Sequence, residues 1–130
     1  MCLNNKNILI TGISGFVGSY IAKTLIDQGA KVYGVLRRRA DGRCAEQPEK
    51  GDHENISRLG SALSVSRPDI VFHLGAQSFV PRSFIDPLEA MSGNCGGTAN
   101  LLEAIRIKDM DPVVVFAGGS DMEQSFPSRI

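Results

Sequence analysis

Three glycines at a spacing of three, Gly12, Gly15 and Gly18, lie inside Asn7–Tyr20, an apolar run that breaks into Gly-Ile-Ser-Gly-Phe-Val-Gly and resumes at helical spacing. Glycines placed this way can hold a diphosphate through main chain alone. The first permits a tight turn, the second lets a pyrophosphate approach the backbone, and the third packs helix on strand. The N–H groups that open the helix then face the anion. The bare pattern fits a plain glycine-rich turn as well as a dinucleotide site, so its flanks carry the argument. Ile8–Ile10 precedes it as a buried parallel strand. Val17, Tyr20, Ile21 and Leu25 mark one face of a helix that ends near Gly29, and Lys31–Leu36 follows as a second strand. No Lys-Ser or Lys-Thr follows the last glycine, which excludes a P-loop and with it an NTPase reading.

The whole chain sets the limits within which that turn works. Its 130 residues provide one domain with a real core, and 42% hydrophobic content with zero formal net charge describes an ordinary soluble globule. Nothing electrostatic points to nucleic acid. The one dense basic run, Arg37-Arg38-Arg39 with Arg43 nearby, sits where the second strand meets its loop. No apolar stretch reaches membrane-spanning length and the polar start lacks a signal-peptide core, so the protein is expected in the cytoplasm with no membrane partner. Cys2, Cys44 and Cys95 are odd in number, dispersed and without a Cys-x-x-Cys pair, so they support neither a disulfide framework nor a metal site.

Strands and helices then alternate along the chain. Arg37–Lys50 is polar, has no apolar period and reads as loop, ended by Gly51-Asp52-His53. A helix is expected from an Asn55 cap, with Ile56, Leu59, Leu63 and Val65 on one face, stopping before Arg67-Pro68. Asp69–Leu74 is a compact β-prone run closed by Gly75. Asp86-Pro87-Leu88-Glu89 sets an N-cap, an N1 proline and a capping-box acid in register, starting a helix through Met91, Leu101, Leu102 and Ile105. Gly93, Gly96 and Gly97 are costly inside it. They imply either a face held close to a backbone or cofactor, or a broken helix. Val113–Ala117 is the fourth strand, closed by Gly118-Gly119. The order predicts an α/β fold, a doubly wound parallel sheet covered on both faces.

These residues also carry a family resemblance over nearly the whole chain. Thr-Gly-Ile-Ser-Gly-Phe-Val-Gly-Ser-Tyr, then Val-Tyr-Gly-Val-Leu-Arg-Arg, Gly-Asp, His-Leu-Gly-Ala-Gln-Ser and Asn-x-x-Gly-Thr at Asn94–Thr98 occur in the order seen in extended short-chain dehydrogenases/reductases, the NAD-dependent epimerase/dehydratase family. Within it the chain is most similar to the GDP-mannose 4,6-dehydratases. Val-Pro-Arg-Ser-Phe and Phe-Ala-Gly-Gly-Ser equally resemble the related GDP-6-deoxy-sugar reductases and epimerases.

The resemblance implies a Rossmann-like domain over residues 1–117, an unassigned tail over 118–130 and a sugar domain outside this chain. It implies cofactor contacts from Gly12, Ser14, Gly15, Phe16, Val17 and Gly18, and from Leu74, Gly75, Ala76 and Gln77 beneath the phosphates and ribose. An NAD enzyme places an acid at the end of the second strand, whereas here stand Arg37 and Arg38, suited to the 2′-phosphate of NADP; a solvated basic loop is the alternative. Asp52 and His53 match the adenine contact, although His53 replaces the family's usual leucine. His73 is expected as a strand-end packing residue, and Asn94 as one that orders the sheet.

Two stretches depart from the family. Between Arg39 and Gly51 there is less chain than usual, so the third strand of the family's sheet is expected shortened or absent. After the fourth strand Gly119 takes the place of the substrate-binding Ser/Thr, with Ser120 one place later, Asp121 matching the family's acid, and Glu123-Gln124 replacing Tyr-Gly. Ser120 and Asp121 are therefore the catalytic candidates. Of the two tyrosines, Tyr20 is followed four residues on by Thr24 and Tyr33 by Arg37, so neither forms the family's Tyr-x-x-x-Lys pair. The implied function is the NADP-binding portion of a nucleotide-sugar dehydratase, inactive alone, with a nucleotide-sugar substrate and homo-oligomerisation in the full-length family. A related reductase or epimerase, a non-catalytic dinucleotide-binding module and an S-adenosylmethionine-binding fold are the competing readings, the paired arginines arguing against the last.

Overall fold

Side chains of the first strand, β1 (Asn7–Thr11), alternate between two cores, which is why the strand is buried on both faces. Leu9 joins Val35, Val71 and the helical residues Leu59, Ala62, Leu63, Leu101, Ala104 and Ile105. Ile8 and Ile10 turn the other way and join Ala22, Leu25, Ala30 and Ile70. Each large aliphatic side chain taken wholly out of water there contributes about 1.5–3 kcal/mol. In this computed structural model residues 3–35, 56–76 and 80–117 are described.

Around β1 the chain builds a four-stranded parallel sheet in the order β2-β1-β3-β4, with β2 at Lys31–Val35, β3 at Ile70–His73 and β4 at Val113–Phe116. Leu9 pairs with Tyr33 on one side and Val71 on the other, and Val71 pairs with Val114. Helix α1 (Phe16–Asp27) supplies Ala22 and Leu25 to one face of the sheet. Helices α2 (Ile56–Ser66) and α5 (Gly97–Ile107) cover the other. The fold is thus the doubly wound α/β arrangement that the alternation of elements predicts. The stretch in which the family's third strand is expected shortened or absent lies outside the described residues, and among those described β2 is an edge strand.

The first two helices form where expected and bury Leu25, Leu59 and Leu63 as expected, but part of each predicted face is exposed. In α1 the buried stripe is Gly18, Ala22 and Leu25, whereas Val17 and Tyr20 are exposed, Tyr20 by 71%. Small residues face inward because this helix lies close against the turn before it. In α2 the buried residues are Leu59, Gly60, Ala62, Leu63 and Ser66, and Val65 is exposed. That helix stops at Ser66 because Arg67 turns to φ 39 and Pro68 follows.

The capping signal at Asp86 is realised: its Oδ1 accepts the Glu89 N–H at 2.9 Å and α4 (Pro87–Met91) starts on proline. Beyond it the chain does not break. Met91, Ser92, Gly96 and Gly97 keep right-handed helical backbone, so α4 runs through a π-helical turn at Ser92–Gly96 into α5. The buried positions along this path are Gly93, Gly97, Leu101, Ala104 and Ile105, while Met91 and Leu102 face outward. A further short helix, α3 (Val80–Ile85), has no counterpart in the sequence reading. Its Pro81 stands in the first turn, where a missing N–H costs no intrahelical bond. At the sheet's outer side β4 exposes Val113, Val115 and Phe116 and half-buries only Val114 against the core.

Candidate functional site

The turn between β1 and α1 is built on two backbone contacts that leave no room for side chains. Gly12 adopts φ +76, and a Cβ there would lie 2.8 Å from the carbonyl carbon and oxygen of Leu74 and 2.9 Å from the nitrogen of Gly75. Two motifs far apart in the sequence, the glycine turn and the segment after β3, are thereby brought into main-chain contact. At Gly18 a Cβ would lie 2.2 Å from the Gly12 carbonyl oxygen, so this glycine lets the first turn of α1 rest on the glycine turn itself. Gly15 is different. Its N–H donates to the Gly12 carbonyl at 3.0 Å, its backbone is extended, and a Cβ would meet only the Gly12 oxygen at 3.2 Å, with open space beyond.

That open side is the one an anion would use. Helix α1 begins with Gly15 as N-cap, no side chain caps it, and no acid stands in its first turn. The first intrahelical bond runs from the Ser19 N–H to the Gly15 carbonyl at 2.9 Å, so the amides of Phe16, Val17 and Gly18 precede the helical ladder. Uncapped amides at the positive end of a helix, beside Gly15 and the open space around it, suit a diphosphate. Ser14, Phe16 and Val17 are exposed around this opening. Ile13 is held from behind: its side chain fills the space that a Cβ on Gly34 of β2 would need, 2.6 Å away. Leu74 is half-buried, Gly75 buried and Ala76 exposed, so the segment rises out of the core as it leaves β3.

Beneath the turn lies a hydrogen-bonded group whose parts the sequence showed without its connections. His73, expected to pack at a strand end, is buried, with Nδ1 2.8 Å from the Thr11 Oγ1 and Nε2 3.1 Å from the Thr98 Oγ1. Phe116 of β4 stacks on its ring, centroids 5.9 Å apart and planes at 21°. Thr11 also accepts the N–H groups of Leu74 at 3.2 Å and Gly75 at 3.0 Å. Thr98 donates to the carbonyl of Asn94 at 2.8 Å, which ties the expected sheet-ordering residue into the same group. The one available signal was a hydroxyl at the end of an otherwise aliphatic buried strand.

Arg37, Arg38, Asp52, His53, Gln77, Gly119, Ser120 and Asp121 lie outside the described residues, so the expected 2′-phosphate, adenine and catalytic positions carry no structural account. Among the described residues no group of three metal-ligating side chains occurs, and no helix is long and apolar enough to cross a membrane.

Comparison with known proteins points the same way as the turn. The family described as GDP-mannose 4,6 dehydratase matches residues 9–122. GDP-mannose 4,6-dehydratase of Vibrio cholerae serotype O1 is 36% identical over 93% of this chain and 36% of its own length. The enzyme of the same name from Yersinia enterocolitica serotype O:8 is 33% identical over 95% of this chain and 39% of its own. Among solved structures, UDP-glucose 4-epimerase from Brucella ovis in complex with NAD superposes with a TM-score of 0.78 at 30% identity, covering 98% of this chain and 39% of that one. The chain thus spans little more than a third of the length of these relatives. With the glycine turn, the parallel sheet and the matched span in agreement, the chain belongs to the GDP-mannose 4,6-dehydratase family, within the nucleotide-sugar dehydratases and epimerases.

Proposed function

We propose that this chain is the NADP-binding portion of a cytoplasmic nucleotide-sugar dehydratase acting on GDP-mannose, and that alone it binds the dinucleotide without turning over the sugar. One observation carries the reading: the turn at Gly12–Gly18, whose glycines at 12 and 18 allow close main-chain packing, presents the uncapped start of α1 beside the Leu74–Gly75 backbone. Gly12, Gly15 and Gly18 would admit the diphosphate, with the Phe16, Val17 and Gly18 amides facing it. Leu74, Gly75 and Ala76 would line the path of the phosphates and ribose. When bound, the nicotinamide supplies the means of taking hydride from the sugar and returning it. This chain's residues bind and orient it.

The choice of NADP rests on Arg37 and Arg38, which stand where an NAD enzyme carries an acid. The Brucella ovis relative is in complex with NAD, so the two cofactors are the natural pair to compare. Calorimetric titration of the purified chain should give tighter binding of NADP by about two orders of magnitude, from contacts worth about 1.5–3 kcal/mol each. The preference should shrink in high salt and collapse in the double variant Arg37→Ala/Arg38→Ala. Equal dissociation constants would overturn the NADP assignment, and binding of neither would overturn the dinucleotide site.

Lack of turnover follows from what the residues can do. Neither Tyr20 nor Tyr33 has a lysine four residues on, and Tyr20 is exposed on α1 while Tyr33 lies in β2 packed against the core. Neither is placed as a positioned acid–base pair. Incubation with NADP and GDP-mannose should yield no 4-keto-6-deoxy product above a no-protein control. The likeness to a UDP-glucose 4-epimerase structure favours a second reading, a nucleotide-sugar epimerase. Assaying a full-length parent enzyme with GDP-mannose and UDP-glucose separates the two.

A further inference from the structure

We propose that Thr11, His73 and Thr98 form a buried positioning relay that sets the Leu74–Gly75 backbone beneath the phosphate turn, so that a hydroxyl on α5 controls dinucleotide affinity without touching the cofactor. The proposal rests on the dinucleotide reading above and goes beyond it by assigning residues that stand behind the site.

The hydrogen bonds of the two hydroxyls give a direction to the Thr11–His73–Thr98 chain. The Thr11 hydroxyl oxygen accepts two N–H groups, from Leu74 at 3.2 Å and Gly75 at 3.0 Å, the first shared with the Thr11 carbonyl at 3.2 Å. Its two lone pairs are then used, so its own proton goes to the His73 Nδ1 at 2.8 Å. At the other end the Thr98 hydroxyl proton goes to the Asn94 carbonyl at 2.8 Å. Toward the His73 Nε2, at 3.1 Å, Thr98 must therefore accept. His73 is thus the neutral tautomer with its proton on Nε2, an assignment made from the network. One consistent direction runs from the Leu74 and Gly75 amides through Thr11, His73 and Thr98 to a carbonyl inside the π-helical turn.

Burial gives this arrangement its stiffness. Thr11 and His73 are 0% and 4% exposed, and a buried polar group deprived of its partner loses its hydrogen bond without regaining one from water. The third buried polar side chain among the described residues, Ser66, bonds to the Ala62 carbonyl of its own helix and ties nothing else together. The relay instead joins β1, β3 and α5. Its near end grips the same Leu74–Gly75 main chain that lies against Gly12. If Thr98 no longer accepts, the imidazole loses the partner that holds its Nε2 proton, and a rotation or change of tautomer in response withdraws the acceptor that orients Thr11. The Leu74–Gly75 segment then shifts against a contact with no slack.

The test uses the full chain with Thr98→Val, which keeps the shape and removes the hydroxyl, and Thr98→Ser, which restores it. Dissociation constants for NADP and NAD come from calorimetry, folding from circular dichroism, and the His73 tautomer from imidazole nitrogen shifts by NMR, with His53→Asn assigning the second histidine. Thr98→Val should weaken dinucleotide binding by about fivefold or more while remaining folded, a coupling of the size found between linked sites. Thr98→Ser should restore it, and the wild type should show the Nε2–H form. A wild type that binds while Thr98→Val binds equally well overturns the relay alone. A wild type that binds neither dinucleotide overturns the underlying reading and this proposal with it. Should Thr98→Val fail to fold, the wild-type tautomer decides, and an Nδ1–H ring overturns the relay.

Discussion

The two ends of the sheet tie β1 to β3 by opposite means. At the end where the strands begin, Asp69 just before β3 accepts the Asn7 N–H at 2.9 Å and the Lys6 ammonium at 3.1 Å, with both charged side chains more than two-fifths exposed. At the end where the strands finish, the same two segments are joined by the buried Thr11–His73 bond and by Gly12 lying on Leu74 and Gly75. The exposed end is open to solvent and screened by salt, so it tolerates change. The buried end leaves no space for one methyl group at Gly12 and links Thr11, His73 and Thr98 by hydrogen bonds. Fixed geometry costs stability wherever it is perturbed, and it is concentrated where a ligand's phosphates would have to be met at set positions.

The largest effect expected from breaking this contrast is at Gly12. Gly12→Val places a β-branched residue at φ +76 and drives its Cβ to within 2.9 Å of the Leu74–Gly75 main chain, which cannot rotate away as a side chain would. Backbone strain of about 1–3 kcal/mol and overpacking of about 1–3 kcal/mol add at one site. Thermal unfolding should show a midpoint lower by 10 °C or so at the least, since about 1 kcal/mol moves a domain near this size by about 4–8 °C. A midpoint within 2 °C or so of wild type would show that the turn and the segment after β3 are not in contact.

Gly15→Val sharpens the comparison inside the site end itself, because it separates room for a ligand from room for the fold. Extended backbone suits valine, and its Cβ meets only the Gly12 oxygen at 3.2 Å. Stability should change by about 1 kcal/mol or less. Dinucleotide affinity should nevertheless fall about tenfold or more, about 1.4 kcal/mol, because the added methyls occupy the open side beside the α1 amides. Unchanged affinity in calorimetry would remove Gly15 from the site.

How much of this was legible in the sequence follows the same division. The strands came out within a residue of their observed ends, since runs such as Ile-Val-Phe-His between a proline and a glycine have few other uses. The glycine turn was legible because backbone geometry demands a residue type. Helix faces were legible in part: Leu25, Leu59, Leu63, Leu101 and Ile105 lie on the expected faces and are buried. Hydrophobic spacing pointed to Val17, Tyr20, Val65 and Leu102, but at close helix–sheet contacts the buried stripe is made of Gly18, Ala22, Gly93 and Gly97, residues too small to register as apolar signal. The relay was invisible for a different reason. Thr11, His73 and Thr98 are ordinary in type, and only the sheet register that sets Thr11 opposite His73 gives them meaning.

The smallest effect belongs to the exposed end, and its pH dependence tells the two ends apart. Asp69 titrates below its usual value of 3.8, chiefly because the Asn7 N–H bonds its charged form and further because Lys6 does. A carboxyl whose folded value is depressed stabilises the fold fully above its unfolded value, and that contribution disappears as pH falls through the folded value. Asn is nearly isosteric with a neutral carboxyl, so Asp69→Asn mimics the protonated wild type. The two unfolding midpoints should therefore differ slightly at pH 7, approach one another below pH 3.8 and meet in stronger acid. Salt should narrow the neutral-pH gap without closing it, since screening weakens the Lys6 pair and leaves the Asn7 hydrogen bond in place. A gap that persists unchanged in strong acid would show that Asp69 acts through shape and not charge, and no gap at pH 7 would mean that the strand-start end contributes no electrostatic tie at all.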